Sequence, residues 1–328
     1  IDFKAIPDET VNQNFEPTYS YTIYADVVDI NGETQSTTTY VYVSNKALLI
    51  NISIPELVNK NAADSFYLST TNLNGEVEFA KGNIKVWQLK NTNQVFRSQL
   101  WAKADKYLMT KEEYQKDFPF DEYKDENNKF NWEKSTKVFD VNFNTEHQKI
   151  IRFGKLPECN SGYYVLEATS VDVFGNEVKE IKYFTLFGEN EKSFPLNDIS
   201  FFTKLKNVVE PGEKASYLVG SAAKNATVLY EIEHKGKIVS RNWIKLSGSQ
   251  QKIEIPITEE HRGNFVVHFS FVKHGRNFNF SDVVYVPYTN KMLDVKFETF
   301  RNKLLPGQNE EWKIKISDKK GDKVAAEM

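Results

Sequence analysis

Three stretches of this chain follow one pattern of strand, turn and strand, and that repetition limits the possible folds more than any other feature. Residues 20–43 read SYTIYADVVDINGETQSTTTYVYV, residues 162–187 read GYYVLEATSVDVFGNEVKEIKYFTLF, and residues 263–288 read GNFVVHFSFVKHGRNFNFSDVVYVPY. In each, alternating apolar positions lead into a turn at Gly32, Gly175 or Gly275 and resume after it. That is the signature of a β-hairpin with one buried face. In the third copy Phe265, Val267, Phe269 and Phe271 share one face, and Val266, His268, Ser270 and Val272 the other.

The repeat period sets the domain size. Gly162 and Gly263 lie 101 positions apart, and Pro211-Gly212 and Pro306-Gly307 lie 95 apart, each close to the roughly 100 residues of one immunoglobulin-like sandwich. Upstream of the hairpins, GNIKVWQLKNTNQVFRS at 82–98 resembles NATVLYEIEHKGKIVSR at 225–241, and NTEH at 144–147 aligns with TEEH at 258–261. The earlier copy is 42 residues longer, which places an insertion near 100–137. Within it, Thr110-Lys-Glu-Glu113 has the form of a capping box, Met109 and Tyr114 suit a hydrophobic staple, and Phe118-Pro119 ends the helix. The expected fold is all-β, with tandem fibronectin- or immunoglobulin-like antiparallel sandwiches, one of them carrying a short helical insertion. Residues 1–44 are expected to close one sandwich, 45–190 to form a complete one with the insertion, 191–289 a compact complete one, and 290–328 to begin another. Both ends are expected to cut through a repeat of a longer protein.

Composition fits strands and excludes several classes of function. Aromatic residues make up 14% of the chain, with 24 Phe and 16 Tyr. Forty-two basic and 45 acidic residues leave a formal charge of -3, with no basic stripe to neutralise phosphates, so nucleic acid is not an expected partner. The longest apolar stretches are strand length, short of the roughly 18 to 20 residues of a membrane-spanning helix. One cysteine, Cys159, allows neither an internal disulfide nor a site of several thiolates.

The candidate chemistry favours scaffold over catalysis. None of His147, His234, His261, His268 and His274 belongs to a metal-binding pair such as H-E-x-x-H, and His147 and His261 are read as equivalent positions of the repeat. Asp121, Glu122, Asp125 and Glu126 could offer oxygens to Ca²⁺ but lack the spacing that wraps a loop round the ion, so a solvated loop is expected. Phe118, Phe120, Tyr123, Phe130 and Trp132 are read either as a ligand-stacking platform or, preferably, as rings pinning the insertion to its sandwich. Cys159, in PECNSG, reads as a loop thiol, and no G-x-S-x-G nucleophile motif occurs. The sequons at Asn51, Asn225 and Asn279 matter only in a eukaryotic secretory pathway. No catalytic, cofactor-binding or metal residue is expected, and no enzymatic activity.

The segments ADVVDINGETQS at 25–36, STTNLNGE at 69–76, VVEPGEKASYLVGSAAKNATVLYEIEHKGKIVSRNWIKL at 208–246, IPITEEHRGNFVVHF at 255–269 and FETFRNKLLPGQNEEWKIKISDKKGDKVAAEM at 297–328 resemble the macroglobulin domains of bacterial alpha-2-macroglobulin family proteins. The resemblance covers the whole chain and is strongest from about Val208 onward. It implies a string of seven-stranded sandwiches in a protein that inhibits endopeptidases by entrapment. A protease cuts a bait segment, the domains collapse round it, and in many members a thioester in C-G-E-Q bonds the attacker. Asn160-Ser161 follow Cys159 here, so no thioester carries over, and no flexible segment identifies the bait. The resemblance implies proteases as partners of the full-length protein, neighbouring macroglobulin domains as contacts, and a periplasmic or cell-surface location with a lipid anchor at the N-terminus. The competing expectation is a surface adhesin or carbohydrate-binding module presenting Phe130 and Trp132 to glycans.

Overall fold

A computed structural model describes residues 4–324 except 9, 13–15, 63, 93, 104, 300–302, 319–320 and 323. Part of the 297–328 stretch that carries the resemblance therefore lies outside the described residues. The chain divides into two compact units, Ile1–Asp198 and Ile199–Met328.

The first unit opens with an antiparallel ribbon, β1 (Tyr19–Val28) on β2 (Thr34–Val43). Its sandwich follows. One sheet joins β3 (Leu49–Ser53), β5 (Ser65–Thr71) and β8 (Ile150–Arg152). The other comprises β4 (Leu57–Asn59), β6 (Lys81–Leu89), β7 (Lys134–Asn144), β9 (Gly162–Val171) and β10 (Glu177–Phe187), in the order β4-β10-β9-β6-β7. Alternation along these strands sends Ile50 and Ile52, Phe66 and Leu68, Ile84 and Val86, and Leu166 and Ala168 into one shared core, closed by Phe143, Phe153 and Tyr164.

The second unit holds β11 (Phe201–Lys206), β12 (Lys214–Ser221) and β15 (Ser249–Pro256) in one sheet. Its other sheet runs β14 (Lys237–Leu246), β13 (Ala226–His234), β16 (Phe265–Lys273), β17 (Arg276–Val284). Phe265, Val267, Phe269 and Phe271 are all buried, as the alternation requires. Phe269 stacks on Tyr230 at 5.0 Å and on Phe202 at 5.8 Å, and contacts Tyr217 and Phe280, an aromatic centre that suits the high Phe and Tyr content. A ribbon of β18 (Leu293–Thr299) and β19 (Lys313–Asp318) follows.

The repeat holds at the level of topology. The order β10-β9-β6-β7 in the first sandwich matches β17-β16-β13-β14 in the second, and β3-β5-β8 matches β11-β12-β15. Even the parallel pairing of β4 with β10 has its counterpart, in an isolated parallel bridge from Val208 to Tyr285. The equivalence of NTEH with TEEH does not hold. Asn144 ends β7, ahead of β8, whereas the Glu259–His261 turn follows β15 and therefore corresponds to the turn at Leu156–Glu158. Two shared letters in four carried no structural periodicity. The connection from β6 to β7 spans 44 residues, 90–133, where the connection from β13 to β14 is the two-residue turn Lys235-Gly236.

A second recurring device shapes the turns. Asp29, Asn72 and Asp172 each open a D/N-x-x-G sequence, and each accepts through Oδ1 the N–H groups two and four residues on. Gly32, Gly75 and Gly175 then take φ of 84 to 87°, the left-handed residue of a three-residue hairpin loop.

Candidate functional site

The 90–133 connection is the longest excursion from the repeat, and long ordered loops on a rigid scaffold are where binding residues concentrate. Two of its segments run side by side and are cross-linked throughout. Arg97 N–H donates to the Phe120 carbonyl at 2.8 Å, and Gln94 Nε2 and Gln99 Nε2 donate to the carbonyls of Pro119 and Glu122 at 2.9 and 3.2 Å. Between them the Arg97 guanidinium grips the buried Asp121 carboxylate in a fork, Nε to Oδ1 and Nη2 to Oδ2. Lys103 Nζ reaches Asp125 Oδ1 at 2.7 Å. The helix α1 (Lys111–Asp117) sits in the same loop, capped as its sequence predicts: Glu113 N–H donates to Thr110 Oγ1 and Thr110 N–H to Glu113 Oε2.

These braces enclose a cavity of about 280 Å³ walled by Trp101, Tyr107, Tyr114 and Tyr123, with Gln99 and Glu122 among its polar residues. Tyr123 packs on Tyr107 at 4.8 Å and on Tyr114 at 5.4 Å, and its hydroxyl donates to the Met109 carbonyl at 2.7 Å. Lys124 Nζ lies 5.4 Å from the centre of the Tyr107 ring. Burial pushes the Tyr114 hydroxyl above its ordinary pKa. Of the five aromatics singled out in the sequence, only Tyr123 faces this cavity. Phe130 and Trp132 meet Tyr183 and Tyr163 edge-on at 4.7 and 5.0 Å, and Trp132 Nε1 donates to the Glu126 carbonyl. They pin the loop to β9 and β10. Phe118 lies on Tyr114 at 5.0 Å, and Phe120 is half-buried. Trp101 and Tyr107 were missed because no periodic pattern marks an irregular loop.

The other candidates disperse. Asp121 pairs with Arg97, Glu122 and Asp125 with Lys103, and Glu126 with Lys111 at 2.9 Å, so the four carboxylates are spent on three separate cations. Among the described residues no group of three or more His, Cys, Asp or Glu is placed to hold a metal ion. Cys159 follows the Leu156–Glu158 turn, its Sγ 3.6 Å from the Lys155 carbonyl, and burial pushes its thiol up, away from nucleophilic character. His147 is exposed beside Glu146, and His274 forms a turn at φ 47°. His261 Nδ1 accepts the Thr258 N–H at 3.0 Å, and its ring packs on Phe265 and lies 6.1 Å from His234.

One string of residues has no counterpart in any sequence motif. His268 on β16 bonds Ser281 Oγ on β17 through Nδ1 at 2.8 Å and Glu233 Oε2 on β13 through Nε2 at 2.9 Å. The three types are those of a nucleophilic triad, but they stand side by side across three strands on the outward face of a sheet, opposite the buried Val267 and Phe269. The string is a cross-strand ladder.

Residues 200–325 match the alpha-2-macroglobulin bait region domain. The likeness to the alpha-2-macroglobulin family lies in this stretch. Among solved structures, the native alpha-2-macroglobulin of E. coli is 12% identical over 93% of this chain and 19% of its own, with a TM-score of 0.29. The methylamine-reacted alpha-2-macroglobulin of Salmonella gives 12%, 93%, 19% and 0.30. An ice-binding adhesin of an Antarctic bacterium gives 12% over 82% of this chain and 56% of its own, with a TM-score of 0.19. The chain thus spans about a fifth of the length of those alpha-2-macroglobulins, and no curated protein sequence matches it. Among the described residues no helix is long and apolar enough to cross a membrane. The match takes in the whole second sandwich and the β18–β19 ribbon, while the cavity lies in the preceding unit, outside the match.

Proposed function

We propose that this chain is part of the structural frame of a protease-trapping inhibitor of the alpha-2-macroglobulin kind, with endopeptidase inhibition belonging to the full-length protein. The observation that supports it is the match of residues 200–325 to the bait region domain. Sandwiches with closed aromatic cores are stiff bodies, suited to hold position while a cleaved segment elsewhere triggers collapse. Proteases and neighbouring macroglobulin domains are the partners, and the protein works in the periplasm or at the cell surface, held by a lipid anchor at the N-terminus. Cys159 takes no part in capture. Adhesion through Phe130 and Trp132 has less support, because both rings pack against tyrosines of the sandwich.

Entrapment has a distinctive readout. A trapped protease still cleaves small peptide substrates but loses access to large protein ones. The full-length protein mixed with trypsin is expected to show that split, and residues 1–328 alone to leave both activities unchanged. Unaltered cleavage of a large substrate in the presence of the full-length protein would sink the trap reading. Stoichiometric inhibition of several unrelated proteases by residues 1–328 would overturn the assignment of the trigger to other segments.

A further inference from the structure

We infer that the 90–133 loop is a clamp on the link by which the chain leaves the first sandwich, and that it thereby sets how much free chain is available at that exit. This role is independent of the protease-trap reading. The β6–β7 connection is one place where the first sandwich outgrows the second. The link after its last hairpin is another: it runs 13 residues, 188–200, where the link after β17 runs eight, 285–292. These two additions meet.

The loop supplies the grip. Asn197 Nδ2 donates to Thr92 Oγ1 at 3.0 Å and to the Gln94 carbonyl at 3.3 Å, both near the start of the loop. Beside it the hydroxyl of the buried Tyr163 donates to Asp198 Oδ2 at 2.8 Å. Tyr163 is set by the other end of the loop, for Trp132 meets its ring edge-on and Lys129 Nζ lies 5.1 Å from its centre. The contact that pins the loop to β9 therefore also aims a donor at the link. Asp198 is the last residue of the first unit, so the chain leaves that unit at the residue this hydroxyl holds. Phe194 and Leu196, just before the grip, are buried as well.

The near end of the link needs no loop. Glu189 N–H donates to Asn61 Oδ1 at 3.1 Å, and Glu191 Oε1 accepts the Ser161 hydroxyl at 2.9 Å and pairs with Lys60. The second sandwich holds its exit in this way too, with Arg262 of the β15–β16 turn donating to the Pro287 carbonyl at 2.5 Å and to Thr289 Oγ1 at 3.2 Å. What the loop adds is a hold on residues 192–198. Released, they would give up to about 25 Å of free chain at roughly 3.5 Å per residue. A grip made of a few hydrogen bonds outside the sheets can open without unfolding the sandwich, and its opening lengthens the tether.

Amide exchange of residues 1–328, read by mass spectrometry, tests this. The double variant Asn197→Ala/Tyr163→Phe removes the side-chain bonds of the grip and is expected to speed exchange over 192–198 about tenfold or more, with β9 and β10 still protected. Arg97→Met reaches the link only through the loop, and it is expected to speed exchange at 192–198 together with the loop. The inference is overturned if 192–198 exchanges freely in the wild type, if the double variant changes its exchange by less than about twofold, or if Arg97→Met opens the loop while the link keeps its protection. Should Arg97→Met leave the loop closed, or the double variant lose protection in β9, Asn197→Ala alone decides by the same twofold criterion.

Discussion

Arg97 and Asp121 show how much of the loop rests on single side chains. Asp121 is buried and the half-buried Arg97 satisfies its carboxylate, so removing Arg97 strands a charge out of water. Arg97→Met should therefore cost the loop on the order of 3–5 kcal/mol of local stability, seen as lost amide-exchange protection over residues 94–125 while the sandwich strands stay protected. His261 gives a pH signature. Burial, then the nearby His234, hold its imidazole below the ordinary 6.5, with Glu260 pulling weakly the other way. The unfolded chain thus takes up the proton first, and the stability this group contributes is present above pH 6.5 and lost as pH falls towards the lower folded value. His261→Gln keeps an acceptor for the Thr258 N–H and should flatten the fall in stability as pH drops below 6.5, measured by urea unfolding. At this scale the sequence was least legible. Tyr123 could be named as an aromatic of interest, but Trp101 and Tyr107 could not, since their convergence depends on a fork between residues 24 positions apart. The Glu233–His268–Ser281 ladder was hidden for the same reason, because only strand register brings the three together.

Strands, turns and the helix were far more readable, since their signals are local. Hairpin faces follow from alternation alone, and the α1 cap from four consecutive residues. The three-residue β4 was not legible, being too short to alternate, and it exists through its partner β10. The D/N-x-x-G turns make a testable element. Gly175 sits at φ 87°, where a Cβ costs roughly 1–2 kcal/mol, so Gly175→Ala should lower the stability of the first unit by about that amount in chemical denaturation. The neighbouring Asp172 has a further consequence. Burial alone would raise its carboxyl, but the N–H groups of Ala47, Asn176 and Phe174 outweigh that and hold it down at about 2. Its contribution is present above the ordinary 3.8 and lost as pH falls through about 2. Asp172→Asn should therefore remove part of the acid limb of the thermal melting profile.

The whole molecule is legible in its period. A repeat near 100 residues requires separate cores, and two sandwiches of matching strand order are found. Residues 199–289 carry seven strands around their own aromatic centre, so that stretch, expressed alone, should unfold in one cooperative calorimetric transition. A gradual, probe-dependent loss of structure would show that its core is incomplete. The contrast between the 44-residue connection and Lys235-Gly236 suggests a loop exchange between the sandwiches, and the structure shows why it would miscarry. Phe130 and Trp132 need Tyr183 and Tyr163 beneath them. Counting from Gly162 and Gly263, and along the paired registers, the corresponding places are Val283 and Asn264. Asn264 holds a left-handed backbone at φ 74°, a conformation costly for tyrosine. The loop and its two tyrosines are therefore one heritable cassette, written in three separate pieces of sequence, and the second sandwich cannot acquire it by recombination at the turn alone.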